Sequence, residues 1–406
     1  MEKSLIVICK KQQTPIFIGL VFSVVLLLSW IFQLEPLRDA VNMLAVSGFR
    51  LEISAWYIIL APLMNILDVL SFCSASQHQA VIAVWLVLPC LVSLLLLLRK
   101  KTPWLKCIAK LALTFTVSVV FLLLLYVLAL LLPRPMGALV AEETDVLLVD
   151  FHSHTNFSWD ANSFFTAKQN RLWHEKAGFD AAFITDHLSF AGVQAAKQEN
   201  PTRAGDGLLL LAGLEEVYQG VHVLALCADT NIYEISSTGC QPLFIQANPS
   251  AIERLEETHD AGRGVLGVEI HDAAPVGLET ILQRDIWLAQ AEKFDVAVVY
   301  GSDNHGWAYA ASAWSVLRIP DWRDMDADAL ELAITQHIRN QGFAAVQVVE
   351  RNLLLPASSW LGQVMMPAQL LWRMLCVLSP LERLSWWLWC CFGLWLYILK
   401  KDDVQV

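Results

Sequence analysis

The sequence predicts an α/β protein: a seven-stranded (β/α) barrel or a close variant, preceded by a helical transmembrane region and followed by a C-terminal hydrophobic helix region. Three observations predict this class. The chain divides into a basic apolar part and an acidic part. The first part contains apolar runs long enough to cross a membrane. The second alternates short apolar runs with longer polar stretches, which is typical of strands connected by helices.

The distribution of charge is the first of these observations. The 406 residues are 56% apolar and carry 28 Lys and Arg against 39 Asp and Glu, a net charge of −11. Residues 1–140 hold 11 basic and 5 acidic side chains, a net of +6, and residues 141–406 hold 17 and 34, a net of −17. This composition excludes a disordered chain, a collagen and a disulfide scaffold. Nine of the ten histidines lie in the acidic part, which suggests a metal site there.

Three apolar runs predict membrane-spanning helices, because crossing a hydrocarbon core of about 30 Å takes about 20 residues. They cover residues 16–34, 80–98 and 111–132, and none contains a charged side chain. Residues 56–72 have a suitable length but include Asp68, with no basic residue in the run. The sequence leaves open whether that segment spans the membrane, lies at its surface or packs inside a bundle.

The C-terminal part predicts two further helices. Residues 384–399 are rich in Trp and form a short candidate span, while residues 360–378 are interrupted by Pro367 and Arg373 and suggest an interfacial amphipathic helix. The predicted organisation is therefore a transmembrane region over 1–140, a soluble domain over 145–351, and C-terminal helices over 355–406.

The basic side chains predict the orientation, since cytoplasmic loops hold an excess of Lys and Arg. Five lie between Arg99 and Lys110, and three more precede the first run. If residues 56–72 do not span, both clusters are cytoplasmic and the soluble domain lies outside the inner membrane. If they do span, the two clusters lie on opposite sides, and the larger still favours an extracytoplasmic domain. Among the cysteines, Cys227 and Cys240 could pair within that domain.

Seven Val-, Leu- and Ile-rich runs predict the strands of the soluble domain. Such continuous apolar runs are typical of strands buried on both faces of a sheet. They cover residues 146–151, 181–185, 208–214, 221–227, 265–270, 296–300 and 344–349. In a (β/α) barrel the chemistry lies at the C-terminal ends of the strands.

Six successive runs carry a histidine, a carboxylate or both, mostly at their ends. His152 and His154 lie two residues apart, so their side chains share one face of an extended strand. A single histidine at the end of a strand is usually an ordinary polar residue. Six successive runs are not expected to carry such residues by chance. Imidazole and carboxylate groups are ligands of zinc, manganese and iron. The candidates are His152, His154, His187, Glu215, His222, His271, Asp303 and His305.

Not every neighbouring polar residue belongs to this set. Glu216, Glu269 and Asp272 adjoin candidate ligands and are expected to support them or to lie on the surface. Three other histidines lie in segments predicted as helices and are expected to be ordinary polar residues: His174, His259 and His337.

These motifs together resemble the PHP (polymerase and histidinol phosphatase) family, over the soluble domain, about half of the chain. The matching motifs are His-x-His, Thr-Asp-His, Gly-x-Glu, Gly-x-His, a later strand-end His, and Gly-Ser-Asp-x-His. The resemblance implies a distorted seven-stranded (β/α) barrel with two or three metal ions. It implies one metal held by His152, His154, Glu215 and Asp303, a second by Glu215, His222 and His271, and a third by Asp160, His187 and His305. The family often has His-Pro where this sequence has His271-Asp272, and the third-metal position varies among its members.

Such a centre would activate a water as hydroxide and neutralise phosphoryl charge. The sequence therefore predicts a membrane-anchored, metal-dependent phosphoesterase that hydrolyses a phosphomonoester or phosphodiester with two or three divalent ions (Zn, Mn or Fe). The expected partners are a small phosphorylated substrate and the lipid bilayer. The domain lacks a basic stripe, which argues against nucleic acid.

Two alternatives remain. An amidohydrolase-type amide or ester hydrolase often bridges its metals through a carboxylated lysine at a strand end. The lysines of this domain instead fall in segments predicted as helices or loops: Lys168, Lys176, Lys197 and Lys293. The other alternative is a catalytically inactive membrane-bound metal-binding sensory module, which should lack some ligands, whereas each matched position here carries a competent side chain.

Overall fold

The computed structural model describes residues 2–131, 133–218, 221–232, 234–236, 239–247, 264–275, 277–278, 283–307, 310–353 and 360–403. The helices of these residues are α1 Glu2–Ile31, α2 Ala55–Ile59, α3 Ala61–Ser71, α4 Ala75–Arg99, α5 Trp104–Leu130, α6 Ala167–Ala177, α7 Ala191–Gln198, α8 Arg284–Lys293, α9 Ala327–Gln341, α10 Trp360–Val377 and α11 Pro380–Asp403. The strands are β1 Leu37–Asp39, β2 Phe49–Glu52, β3 Ala138–Ala141, β4 Val146–Ser153, β5 Ala181–Ile184, β6 Leu209–Tyr218, β7 Val221–Leu226, β8 Leu243–Gln246, β9 Val265–Asp272, β10 Ala297–Gly301, β11 Ala313–Arg318 and β12 Gln347–Arg351.

The fold is mixed α/β and is built on one ten-stranded sheet with the order β1-β12-β11-β4-β5-β6-β7-β8-β9-β10. Strands β4, β5 and β6 pair in parallel, and so do β8, β9 and β10. Strand β7 is antiparallel to both of its neighbours, and β11 is antiparallel to β4 and β12. A separate two-stranded sheet joins β2 to β3.

All seven predicted runs overlap strands, although β12 begins only at Gln347 within the run at 344–349. The sheet differs from the predicted seven-stranded barrel. Three further strands join it, namely β1, β8 and β11. They are short or interrupted by polar residues, so an apolar run does not reveal them. The antiparallel strands β7 and β11 also break the regular alternation of a (β/α) barrel.

The sheet curls so that its last strand approaches β4. Ser153 and Asn304 form a parallel bridge, and the Asp303 amide donates to the His152 carbonyl over 2.9 Å. Ser302 is held in the same place, because its amide donates to Asp150 Oδ1 over 3.0 Å. This curl brings residues after β10 to the C-terminal edge of β4, where the two histidines of the His-x-His motif lie.

Two helices, α4 and α5, are long and apolar enough to cross a membrane by their length and composition. They contain the runs predicted at 80–98 and 111–132, of which residue 132 lies outside the described residues. The run at 16–34 falls largely within α1, and that at 384–399 within α11. The segment at 56–72 forms the short helices α2 and α3. The 11 residues of α3 measure about 16 Å, too short to cross the hydrocarbon core.

Asp68 in α3 has two basic partners. Its buried carboxylate pairs with Arg134, just after α5, and with Arg351 of β12, whose Nη1 lies 2.6 Å from Asp68 Oδ2. The Tyr57 hydroxyl donates to Asp68 Oδ2 over 2.7 Å. The sequence offered no such partner, because these arginines lie 66 and 283 residues further along the chain. Asp68 therefore links the helices to the sheet.

A second buried ion cluster ties the N-terminal region to the sheet. β1 pairs antiparallel with β12, and Arg38 of β1 lies 2.7 Å from Glu350 of β12. Arg284 of α8 approaches the same carboxylate to 2.7 Å. Residues 37–39 thus belong to the ten-stranded sheet although the sequence groups them with the membrane region. The predicted boundary at residue 355 lies outside the described residues.

Candidate metal centre

The C-terminal edge of the sheet gathers most of the predicted site residues from separate segments. His152 lies in β4 and His154 just after it, His187 follows β5, and Glu215 lies in β6. His222 joins them from the start of β7. Because β7 runs antiparallel to β6, its beginning lies at the edge where the parallel strands end. The chain after β10 adds Asp303, whose φ of 45° is left-handed, and His305.

The first cluster contains His152, His154, Glu215 and Asp303. Nε2 of His152 lies 3.0 Å from Nε2 of His154, 3.0 Å from Glu215 Oε2 and 3.2 Å from Asp303 Oδ1. Nε2 of His154 lies 3.1 Å from Asp303 Oδ1 and 3.4 Å from Glu215 Oε2. Metal bonds of about 2.0 to 2.2 Å place neighbouring ligand atoms about 2.8 to 3.6 Å apart, so these four side chains fit one shared ion.

The second cluster contains His154, His187 and His305, whose ligand atoms also lie within 4.8 Å of one another. Asp160 adjoins it, with one carboxylate oxygen 3.2 Å from Nε2 of His305 and the other 3.4 Å from Nε2 of His187. The His154 and His305 rings stack with centroids 3.9 Å apart. Nδ1 of His154 is buried without a hydrogen bond among the described residues, so its lone pair is available to an ion.

Glu215 lies between the two clusters and His222. Its Oε2 atom is 3.4 Å from Nδ1 of His187, besides its contacts with His152 and His154, and its Oε1 atom is 3.5 Å from Nδ1 of His222. The His222 side chain is 56% exposed, whereas that of Glu215 is 7% exposed. One buried carboxylate thus approaches four imidazoles, the arrangement expected of a group that bridges ions.

His271 does not join these clusters. Its Nδ1 atom lies 3.1 Å from Glu350 Oε2, and its Nε2 atom lies 2.9 Å from the Ser312 hydroxyl. Burial lowers its pKa, which favours the neutral ring in this surrounding. The structure therefore brings eight of the nine predicted site residues together and places His271 in the ion cluster around Glu350.

Several residues outside the predicted set hold the ligands in place. Glu269, fully buried in β9, contacts Nδ1 of His152 at 2.9 Å, which leaves Nε2 facing the cluster. Asn170 of α6 donates to the His154 carbonyl over 2.8 Å. Asp150 accepts from the backbone amide of His152, and its other oxygen contacts His174 at 2.8 Å. The sequence placed Glu269 beside a ligand, but no local pattern indicates the role of Asn170.

Burial and charge set the protonation of the two central histidines. Burial lowers the pKa of His154 to about 4, so this ring is neutral near pH 7, as a ligand must be. Burial also lowers the pKa of His152, but Glu269, Asp303 and Glu215 outweigh burial, and the net pKa lies well above its ordinary value. Burial raises the pKa of Glu215, but His152, with His222 and His154, outweighs burial and holds the pKa well below its ordinary value. A cation at this site would therefore displace a proton from His152.

The remaining histidines lie elsewhere. The His174 ring is buried against Asp150, and His337 contacts the Ala345 carbonyl at 3.0 Å, so both are ordinary polar residues on helices, as expected. His259 lies outside the described residues.

No protein-family model matches the chain, and no curated protein matches it. Similar solved structures include PsfC from Pseudomonas syringae, 14% identical, covering 57% of this chain and 98% of PsfC with a TM-score of 0.34. A protein from Bifidobacterium adolescentis assigned as a metal-dependent phosphoesterase is 17% identical, with coverages of 46% and 96% and a TM-score of 0.30. An amidohydrolase from Chromobacterium violaceum, with bound sulfate and no metal, is 14% identical, with coverages of 50% and 97% and a TM-score of 0.31. Similarity at this level does not assign a function to this chain.

Proposed function

We propose that this protein is a membrane-anchored, metal-dependent phosphoesterase that hydrolyses a phosphomonoester or phosphodiester. The observation that carries the proposal is the position of Glu215. Its carboxylate lies within 3.5 Å of imidazole nitrogens of His152, His154, His187 and His222. A buried carboxylate shared among four histidines suits adjacent divalent ions, and such ions can activate the water and neutralise the charge in phosphate ester hydrolysis.

The positions of the side chains group the candidate ligands by the ion that each would bind. His152, His154, Glu215 and Asp303 would hold one, His187, His305 and Asp160 would contribute to another, and Glu215 and His222 could share a further one. Divalent ions there would lower the pKa of bound water and neutralise charge on the phosphoryl oxygens. Zn, Mn and Fe suit nitrogen and oxygen ligands, and the proposal is for two or three ions.

The protein groups around the ligands prepare the centre. Glu269 fixes the orientation of the His152 ring, and Asn170 fixes the backbone at His154. The low pKa of Glu215 keeps its carboxylate ionised and available to cations. The acidic domain as a whole repels anions, so the local positive charge of bound ions is what would draw a phosphate ester to this edge.

An amidohydrolase with a carboxylated lysine fits less well. The lysines considered for that role lie on helices: Lys168, Lys176, Lys197 and Lys293. The position between the clusters is taken by Glu215. A sensory module without activity would also bind metal, and the assay below distinguishes it from an enzyme.

We further propose that the domain lies outside the inner membrane. The basic residues from Arg99 to Lys110 lie in the turn between α4 and α5 and at the adjoining ends of the two helices. This turn lies about 37 Å along α4 from the domain, because Ala75 at the start of α4 donates to the Pro275 carbonyl. α5 then leads back toward β3. The positive-inside rule assigns the turn to the cytoplasm. The disulfide between Cys227 and Cys240 supports the same placement, since disulfides persist in oxidising compartments.

The test of the proposed activity uses the full chain purified in detergent and stripped of metal. Mn²⁺, Zn²⁺ or Fe²⁺ is then added with p-nitrophenyl phosphate and bis-p-nitrophenyl phosphate as probes, and an anilide and a carboxylic ester are assayed in parallel. Metal-dependent release of nitrophenol from a phosphate probe supports the proposal. Hydrolysis of the amide or carboxylic ester alone would identify the amidohydrolase, and metal binding without hydrolysis of any probe would identify the inactive module.

A further inference from the structure

Five large apolar side chains are exposed in the segments that carry or adjoin the candidate metal ligands. The exposed fraction is 80% for Trp159, 84% for Phe164 and 72% for Leu188, and 45% and 44% for Phe157 and Trp307. These five residues are here called the apolar rim. A single exposed apolar residue is ordinary, but several gathered around one site mark a surface that binds apolar groups.

The rim is attached to the site itself. The Trp159 ring lies 6.0 Å from the His187 ring, and Leu188 directly follows His187. The indole nitrogen of Trp307 approaches the Asp160 carbonyl to 3.5 Å. Apolar groups held by the rim would therefore lie next to a phosphate at the centre.

The loop that carries Phe164 also borders a groove toward the membrane helices. The Asn162 amide donates to the His305 carbonyl over 2.8 Å, so the loop is fixed to the site. Asn162 and Phe164 line a cavity of about 400 Å³ together with Pro133 and Met136, which follow the candidate span α5. A bordering cavity of about 470 Å³ shares Pro133 and Met136 and reaches Trp56 at the other end.

Charged side chains line the groove as well as apolar ones, and Glu52 lines the second cavity. Arg134 and Lys176 line both cavities. Arg134 is paired with Asp68, whereas Lys176 is exposed on α6 and has no ion pair among the described residues. A groove with apolar walls and an exposed ammonium group, which runs from the loop of Phe164 to the end of the candidate span α5, matches an amphiphile with an anionic head.

We propose that the substrate is a lipid phosphate monoester that stays in the bilayer, with its phosphate at the metal centre and its apolar chain along the rim and the groove. This inference rests on the proposed phosphoesterase function. In the reaction the oxygen of a water bonds to phosphorus, the bond between phosphorus and the lipid oxygen breaks, and a proton from that water ends on the released lipid alcohol. The products are inorganic phosphate and a lipid alcohol that remains in the membrane.

The test compares two phosphate monoesters with the same head. The full chain is reconstituted into phosphatidylcholine vesicles, and release of inorganic phosphate is measured from dioleoyl phosphatidate in the vesicles and from glycerol 3-phosphate in solution. The proposal predicts a kcat/KM for the lipid at least tenfold higher. Phe164→Asp should lower the ratio of lipid to soluble kcat/KM by about tenfold, because it removes apolar contact area and adds a charge, whereas Phe164→Leu should largely retain it.

Ile286→Asp is the matched control, since Ile286 is an exposed isoleucine on α8 outside the rim, 47% exposed. It should leave the ratio unchanged. A ratio at or below one in the unmodified protein, or an equal loss in Phe164→Asp and Ile286→Asp, would overturn the lipid assignment. If glycerol 3-phosphate or the nitrophenyl probes are hydrolysed while the lipid is not, the phosphoesterase function stands and the lipid assignment fails. If no phosphate ester is hydrolysed with any metal, both fail.

Discussion

The Oε2 atom of Glu215 lies 3.0 Å from Nε2 of His152, although the two residues stand 63 positions apart and their strands are separated in the sheet by β5. The side chains meet because β4 and β6 both pair in parallel with β5, so that their C-terminal ends lie at one edge. This contact defines the centre of the candidate site, and the first prediction tests it.

Glu215→Gln should lower the metal content per chain and reduce kcat/KM by about a hundredfold or more, since an amide cannot supply the shared negative charge. The matched variant is Glu216→Gln. The Glu216 carboxylate accepts from the neighbouring Val217 amide over 2.9 Å and contacts no member of the clusters in the described structure. Metal content by elemental analysis and kcat/KM for p-nitrophenyl phosphate measure both variants. A stronger effect at Glu216 would show that the wrong carboxylate has been assigned.

Glu269→Gln tests a residue that orients the candidate ligand His152 and does not itself bind the ion. Because Glu269 contacts Nδ1 of His152, its loss should weaken metal affinity by about ten- to a hundredfold while saturating metal restores much of the activity. Competition with a chromophoric chelator measures the affinity. Glu292→Gln, at an exposed position on α8, is the control. Equal affinities for the two variants would exclude the positioning role.

His271→Gln separates a ligand from a structural residue. The His271 ring contacts Glu350 and Ser312, so the variant should lower the free energy of unfolding by about 1 to 3 kcal/mol and leave the number of bound ions unchanged. Melting temperature and metal content are measured on the same preparation. Loss of one ion per chain with an unchanged melting temperature would instead support the ligand role that the family resemblance implies.

Glu331 predicts a dependence of stability on pH. Burial raises the pKa of this carboxyl to about 7, with Lys197 opposing the shift. Because the folded pKa exceeds the unfolded value, the stabilisation is complete below about pH 4.5 and is lost as pH rises through about 7. Glu331→Gln keeps an acceptor for the Ala212 amide and should remove up to about 3 kcal/mol of this dependence. Melting temperatures of both proteins from pH 5 to pH 8 should converge at low pH. Parallel curves would contradict the prediction.

The orientation predicts the outcome of reporter fusions. Alkaline phosphatase, which is active outside the cytoplasm, should be active when fused just after Pro135, because the basic residues between α4 and α5 hold that turn inside and α5 runs outward. Green fluorescent protein at the same point should be dark. An inactive alkaline phosphatase fusion together with a fluorescent green fluorescent protein fusion would place the domain in the cytoplasm.

The sequence predicted much of the sheet because the seven apolar runs are continuous and buried. It did not predict β1, since Leu37–Asp39 is a strand of three residues that forms only by pairing with β12. It did not predict the direction of β7 either. An apolar run does not show whether the strand is parallel or antiparallel to its neighbours. His222 lies beside Glu215 because β7 is antiparallel to β6.

Most of the eight candidate residues that lie together stand near the C-terminal end of a strand, which the sequence displays. Asp160 instead lies in the loop after β4, and His222 lies at the start of β7. His271 shows the limit of that argument. It lies two residues beyond Glu269 in β9, where the pairing of β9 with β10 shifts in register between Val299 and Tyr300. Its ring contacts Glu350 and Ser312 instead of the metal cluster. The partners of Asp68 were equally hidden, because a pair between a helix and residues far along the chain depends on tertiary packing.

Metal content is the most direct test of the central claim. The full chain, purified without chelator, should contain two or three divalent ions per molecule by elemental analysis. Removing them with a chelator should abolish phosphate ester hydrolysis, and adding them back should restore it. A metal-free protein that retains full hydrolytic activity would contradict the account.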